Sequence, residues 1–524
     1  MKRLFCFLLI LVWLPGLSGC AGTSPSESVP DSESVTLEWY INFSWYNTPW
    51  GESAVSKAVT EATGSEIHFV TPGGTESVTL DALIAGDKLP DLITLGWWEP
   101  QFQEMIDSGL VYALNELADE YDPYFWEVAD MDRLQWYTQE DGNVYCYPNS
   151  SYSPRDYEEE GAVCSNQTFL VRKDIYEAIG SPDMTTPEGF ADAVRTAAEK
   201  FPVVDGKPLI PIGAHEFTER GCDSFDKFLL NFLAVPYEKN GLAYDRYTDS
   251  EYRRWLSMFR QLGEEGYLAS DIFIDKRAQM EEKIIDGRYF CMLYQRTDLA
   301  EQQLYRYSQN PESVYIAVDG PRNAAGDDYM LPGSGINGWT VTLISKNCTH
   351  PDKAIKMMSF LMSEEGQKLL LLGVEGVHYR MEDGRAVLTE ETQALKESDY
   401  AEYVRQVGGD DTYWMLQDNR MQAKWQPELE PVLKQMQDWA RQYTVFTGQY
   451  DVAYSPGSVE DGIDRSISIL HGKMLPQLLL APTQEEFDRL WEDYVRLREE
   501  YGVETLLKEQ TRQTEAAKKK LHLE

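Results

Sequence analysis

Aromatic residues gather at places in this sequence where strand packing does not account for them. The segment Asn42-Phe43-Ser44-Trp45-Tyr46-Asn47-Thr48-Pro49-Trp50-Gly51 sets Trp45, Tyr46 and Trp50 just after the apolar run Val35–Ile41. Trp97-Trp98-Glu99 follows Leu95-Gly96, the run Phe290-Cys291-Met292-Leu293-Tyr294-Gln295-Arg296 ends on Tyr294 and Arg296, and Trp339 follows Gly335-Ile336-Asn337-Gly338. Flat aromatic faces of this kind receive the C–H surfaces of sugar rings, and polar neighbours pair with hydroxyls. Arg296 suits a hydroxyl or a carboxylate, or equally a surface salt bridge. One tryptophan of each group equally suits a cap on the sheet core. Glu375 and His378 read either as acceptors for a ligand or as turn residues.

The residues do not spell a familiar catalytic centre. There is no G-x-S-x-G elbow, no H-E-x-x-H and no phosphate-binding Gly-x-x-x-x-Gly-Lys. With 87 acidic residues a close carboxylate pair is inevitable, so abundance argues nothing for glycoside hydrolysis. The six histidines stand singly, and Cys146, Cys164, Cys222, Cys291 and Cys348 include no C-x-x-C, so neither a metal framework nor a cofactor is expected. Cys146 and Cys164 are close enough in sequence to bridge a hairpin, but unpaired thiols are the expectation.

The amino terminus carries a different chemistry. Met1-Lys2-Arg3, an apolar run from Leu4 to Leu14 and Leu17-Ser18-Gly19-Cys20 form a signal peptide over residues 1–19 with the bacterial lipobox pattern, in which the Cys20 thiol is acylated. The polar stretch 20–34 reads as a lipidated tether. Membrane contact is thus expected through the lipid alone, at the extracellular face. The net charge of -40 disfavours nucleic acid and anionic lipid surfaces as partners.

The elements that must position the aromatics alternate. Val35–Ile41, a strand near 67–70 and 90–96 are strands separated by amphipathic helices, the order of a parallel sheet whose ligands gather at the carboxyl ends of strands. Thr186-Pro187-Glu188 opens a helix with Phe190, Val194, Ala197 and Phe201 on one face. Thr483-Gln484-Glu485-Glu486 is a capping box before Phe487, Leu490, Trp491, Tyr494 and Leu497, with Gly502 as its stop. The last stretch, 503–524, is helix-prone with Lys518-Lys519-Lys520 near its end.

Several segments, in order, resemble the extracellular solute-binding proteins of ABC sugar importers, family 1, and especially their long lipoprotein branch in Gram-positive bacteria. They are Leu83-Ile84-Ala85-Gly86-Asp87-Lys88-Leu89-Pro90-Asp91-Leu92-Ile93, Asp141-Gly142-Asn143-Val144-Tyr145-Cys146-Tyr147-Pro148, Phe169–Tyr176 with Ile179-Gly180, Ser345–Ala354 with Ser363–Gln367, and Gly373-Val374-Glu375-Gly376-Val377-His378-Tyr379. The resemblance covers nearly the whole mature chain.

It implies an α/β fold of two lobes, of the type II, maltose-binding-protein-like kind, closing on ligand by a hinge, with a helical C-terminal region. The first lobe is expected over 35–150 plus 340–400, and the second over 151–339 plus 401–524 with the C-terminal helices. It implies a monomeric, non-enzymatic protein that captures a carbohydrate, an oligosaccharide, between the lobes and delivers it to an ABC permease. Trp45, Tyr46, Trp50, Trp97, Trp98, Tyr294, Arg296, Trp339 and Glu375 would touch the ligand. Arg172 and Arg296 near the cleft would leave an acidic sugar open. Two alternatives share the frame: a same-fold binder of a peptide or other metabolite, or one that serves a sensor kinase; a glycan-active enzyme is the third class. Some relatives carry a calcium loop before the strand near Pro211; here that place reads Phe201–Pro208 with one acid, so no calcium is expected there.

Overall fold

The computed structural model describes residues 34–158, 163–455 and 457–523. The signal segment, Cys20 and the tether up to residue 33 lie outside them. Thirteen strands, in chain order, carry the argument: β1 Val35–Ile41, β2 Ser65–Val70, β3 Leu92–Gly96, β4 Tyr147–Pro148, β5 Gln167–Arg172, β6 Ile210–Gly213, β7 Tyr289–Gln295, β8 Tyr315–Ala317, β9 Leu331–Pro332, β10 Thr340–Ile344, β11 Tyr379–Glu382, β12 Arg385–Leu388 and β13 Thr444–Val445.

Two sheets form the two lobes. The first runs β2-β1-β3-β10-β4, with β1 parallel to β2 and β3, and β10 antiparallel to β3 and β4. The second runs β8-β5-β7-β6, with β7 antiparallel to β5 and parallel to β6. Helices cover both faces of each, so β3 and β5 are buried along their whole length instead of alternating. In the first sheet the Trp39 indole donates to Thr94 Oγ1 at 2.8 Å, and the Thr94 and Thr342 hydroxyls lie 2.7 Å apart.

The helix signals act where the sequence puts them. Thr186 caps the helix Pro187–Lys200 through Gly189 N–H, with Phe190, Val194 and Ala197 buried and Phe201 just past its end. Thr483 caps Gln484–Tyr501 through Glu486 N–H, and Gly502 ends it at φ 97°, a left-handed conformation that glycine takes without strain. The C-terminal helix covers Val503–Lys520.

The lobe boundaries differ from expectation at one place. Residues 401–426 were expected in the second lobe, but Tyr413, Trp414, Met415 and Leu416 pack in the core of the first, and Trp425 packs on Leu371, Leu372 and Tyr379. The chain crosses to the second lobe only before the helix Pro431–Arg441, whose Met436, Trp439 and Ala440 join the second core. The physical reason is that this segment is aromatic-rich and closes an apolar face of the first lobe that β1 and the helices leave open. The crossings therefore number three among the described residues, through 149–158 and 163–166, 333–339 and 427–430, and β9 pairs with β13 beside them.

The second lobe holds a buried polar chain. His471 Nε2 meets Asp226 Oδ1 at 2.5 Å, His471 Nδ1 meets the Tyr494 hydroxyl at 2.7 Å, and Arg498 continues to Asp245 at 2.6 Å. The Asp226 side chain also accepts from Cys222 N–H at 2.7 Å inside the π-helical turn Ser224–Phe228. Removing Asp226 leaves His471 Nε2 and the Cys222 N–H buried without this partner. Asp226→Ala is expected to lower stability by about 3 kcal/mol, seen as a lower urea midpoint with ligand affinity unchanged.

Candidate functional site

The crossings fix which strand ends face the junction of the lobes. β10 begins at Thr340 opposite Gly96, so the carboxyl ends of β1 and β3 lie on the hinge side of the first sheet. β5 enters the second sheet at Gln167 opposite Gln295, so the carboxyl ends of β7 and β6 lie on the hinge side of the second.

On the first lobe these ends carry an aromatic platform. Trp45 and Trp339 are stacked with nearly parallel rings, 7° apart at 6.3 Å between ring centres, and Trp414 lies 4.5 Å from Trp339 and 5.8 Å from Trp45. Phe43 sits 5.5 Å from Trp339 and 5.7 Å from Trp414. Trp45 is 56% exposed, a large apolar surface left open. The Trp414 indole N–H is enclosed and has no acceptor among the described residues.

Asn149, on the first crossing, holds this platform. Its side chain donates to the Trp414 carbonyl at 3.0 Å and accepts from Thr340 N–H at 2.8 Å, while its own carbonyl accepts from Trp339 N–H at 3.2 Å. Gly338 must turn at φ 72° with the Asn149 carbonyl only 2.1 Å from where a Cβ would stand. No other residue fits that turn.

Beside the platform the loops of β1 and β3 are tied by Glu99. Its carboxylate accepts from Gly96 N–H at 2.7 Å and from the Asn42 side chain, whose oxygen accepts from the Tyr40 hydroxyl at 2.9 Å. Burial pushes the Glu99 carboxyl up to about 7, with the Glu76 charge adding to it and the two hydrogen bonds opposing. Glu76 accepts from Ser44 N–H at 2.7 Å and so steers the loop that carries Trp45. Trp98, 48% exposed, folds its indole over Gly96, where a Cβ would stand 2.6 Å from the ring. Trp97 is half-buried and meets Trp98 edge-to-face at 6.1 Å.

At the hinge, Asn337 accepts from the Trp136 indole at 2.7 Å and donates to Asp451 at 3.1 Å. Burial raises the Asp451 carboxyl to about 6 against that hydrogen bond. Lys520, at the end of the C-terminal helix, donates to the Trp136 carbonyl and lies 5.3 Å from its ring, so the last helix touches the first lobe beside the hinge. On the second lobe, His215 after β6 stacks on Tyr294 at 4.2 Å, and burial lowers its pKa to about 4, which keeps it neutral.

Of the residues read from the sequence, Trp45 and Trp339 come together in the platform, and Trp97 and Trp98 lie on the adjacent loop. Five stand elsewhere. Tyr46 is core, buried against Phe69 and Trp414, because it points to the opposite side of the loop from Trp45. Trp50 packs on Phe69 and Tyr413 and donates to Thr60 Oγ1 at 3.0 Å, on the flank of the helix Ala54–Thr63. Tyr294 is not exposed but buried under His215. Arg296 is half-buried, its Nε donating to the Ser165 carbonyl at 2.9 Å. Glu375 is exposed on the turn before the β11–β12 hairpin and has no contact with the platform; His378 there accepts from Val374 N–H at 2.9 Å, a turn role.

Arg172 lies at the far end of β5, bound to Asp174 at 2.9 Å and Asp205 at 3.1 Å, and not near the hinge. Phe43, Trp414, Asn149, Asn337, Asp451 and His215 were not read as site residues. The one acid of the 201–208 segment, Asp205, serves that ion pair, and no group of three metal-binding side chains occurs among the described residues. No helix among them is long and apolar enough to cross a membrane, and all five described cysteines are free.

No family model matches the chain. In sequence it is similar to a polygalacturonan/rhamnogalacturonan-binding protein of Bacillus subtilis, 21% identical over 415 residues that cover 75% of this chain and 76% of the relative. It is also similar to a lipoprotein, LipO, of the same organism, 21% identical over 70% of this chain and 72% of that one. In structure it is similar to an alginate-binding protein solved without calcium ion, with TM-score 0.67, 18% identity and coverage of 92% of this chain and 98% of that one. A milk-oligosaccharide-binding solute-binding protein of Bifidobacterium longum infantis gives TM-score 0.69 at 14% identity over 92% and 99%. The fold is that of the two-lobe solute-binding proteins.

Proposed function

Starting from this two-lobe solute-binding fold, we propose that the protein captures an extracellular oligosaccharide between its lobes and hands it to an ABC permease, without catalysis. The observation that carries the reading is the platform of Phe43, Trp45 and Trp339 packed on the buried Trp414, with Trp45 left open at the hinge-side strand ends where a sugar face would lie. Glu99 and Asp451, half-buried beside it and held by Asn42 and Asn337, supply hydroxyl partners. A ligand that touches both lobes shifts them toward closure, because only differential affinity moves such an equilibrium.

Three of the similar proteins are named for the carbohydrates they bind, which supports the ligand class, and the fourth is named a lipoprotein, which supports anchoring through Cys20 at the outer face of the membrane. The chain works as a monomer in this reading. A thermal-shift screen of the purified protein against glycans, peptides and small metabolites tests it. A ligand at ~100 times its dissociation constant adds ~2.7 kcal/mol of stability, so a glycan-specific rise in Tm is expected. A response to peptides alone, or turnover of a bound glycan, would overturn it.

A further inference from the structure

Resting on the assignment of the hinge-side cleft as the ligand site, we infer that its ligand is a glycan free of carboxylate groups, and that uronate chains are excluded by charge. Three carboxylates stand around the platform with no cation within ion-pair distance among the described residues. Glu76 and Glu99 lie under the loops that carry Trp45 and Trp98, and Asp451 stands at the hinge beside Gly335 and Asn337.

The basic groups nearby are already taken. Arg277 holds Glu281 at 2.8 Å and Asp298 at 3.3 Å, and Lys276 holds Glu216 at 2.5 Å. Arg133 and Arg420 share Asp130 and Asp418, and Arg420 also holds Asp156. Arg296 and Lys520 lack a carboxylate partner among the described residues, and each is held on a backbone carbonyl, Arg296 Nε on Ser165 and Lys520 on Trp136.

A chain of uronates presents one negative charge per residue to this wall. Each like-charge approach in a partly dry cleft costs binding, and no free guanidinium row stands ready to offset it. The net charge of -40 adds a repulsive field on approach. For uncharged sugars the same carboxylates are an asset, since they accept hydroxyl hydrogen bonds that are stronger than neutral ones.

The test uses pairs of ligands that differ only in charge: oligogalacturonides against their methyl esters, and oligomannuronates against oligomannosides. Each is titrated calorimetrically into the purified protein at about pH 8, above the Glu99 value of about 7, where that group is ionised. The uncharged member of at least one pair is expected to bind at least about tenfold more tightly. Glu76→Gln and Asp451→Asn are expected to narrow that gap by raising affinity for the free acid. A free acid that binds as tightly as its ester or better, or a gap that neither variant narrows, overturns the charge argument and leaves the carbohydrate reading standing. Binding of neither member of any pair, with a response to another metabolite class, overturns both.

Discussion

Trp339→Ala is expected to weaken ligand binding by about 30- to 100-fold while the protein stays folded. Trp339 stands at the centre of the platform, within 6.3 Å of Phe43, Trp45 and Trp414, and its backbone is fixed by Asn149 and by the turn at Gly338. A central aromatic anchor of a binding site costs about 2 kcal/mol or more when truncated. The side chain is only half-buried, so the stability loss should stay near 1–2 kcal/mol. Trp45→Ala gives the cleaner comparison, since that ring is 56% exposed and holds up little of the core. Tyr46→Ala should show the opposite pattern, with a large fall in Tm because the ring is buried. Calorimetric titration of the three variants checks the order, and wild-type affinity in both tryptophan variants would remove the platform from the site.

Stability is expected to fall by about 1 kcal/mol between pH 6.5 and pH 8, a range in which most domains change little. Burial raises Glu99 and Asp411 to about 7 and Asp451 to about 6. A carboxyl whose folded value lies above its unfolded one binds protons on folding, so its contribution is present at low pH and is lost as pH rises through the folded value. Histidines oppose this lower down. His215 and His378 are held below their ordinary value of 6.5 by burial, so they favour folding more as pH rises, and because the unfolded imidazole is still half protonated at pH 6.5 they offset part of the carboxyl slope up to about pH 7.5. Above that point the carboxyls act unopposed. Urea midpoints at the two pH values measure the slope, and Glu99→Gln should flatten it. A flat wild-type profile would mean that water reaches these carboxyls freely.

Much of the fold is legible in local signals. A cap, a proline at the first turn and a 3.6-residue spacing of Phe190, Val194 and Ala197 define a helix without reference to anything distant. Strand-end aromatics are legible too, but only to within one residue. Trp45 and Tyr46 are adjacent, yet the loop turns one outward and the other into the core, and nothing in their types decides which. Tyr294 follows the same logic, since the histidine that covers it comes from another strand. Trp414 was out of reach for a different reason. It follows no strand, and it joins Trp45 and Trp339 only because the chain stays in the first lobe through 401–426 before its last crossing. Pairings made across several hundred residues leave no periodic trace. Glu375 lies exposed on a turn that His378 closes by accepting from Val374 N–H, a local role its residue type does not announce.

The contact of Lys520 with Trp136 places the end of the chain beside the joint between the lobes. An affinity tag or fluorescent protein fused there would therefore press on the joint and bias any affinity measured. A small dye at the same position has the opposite value: it would brighten or dim as the lobes swing, turning the protein into an optical sensor for its own cargo.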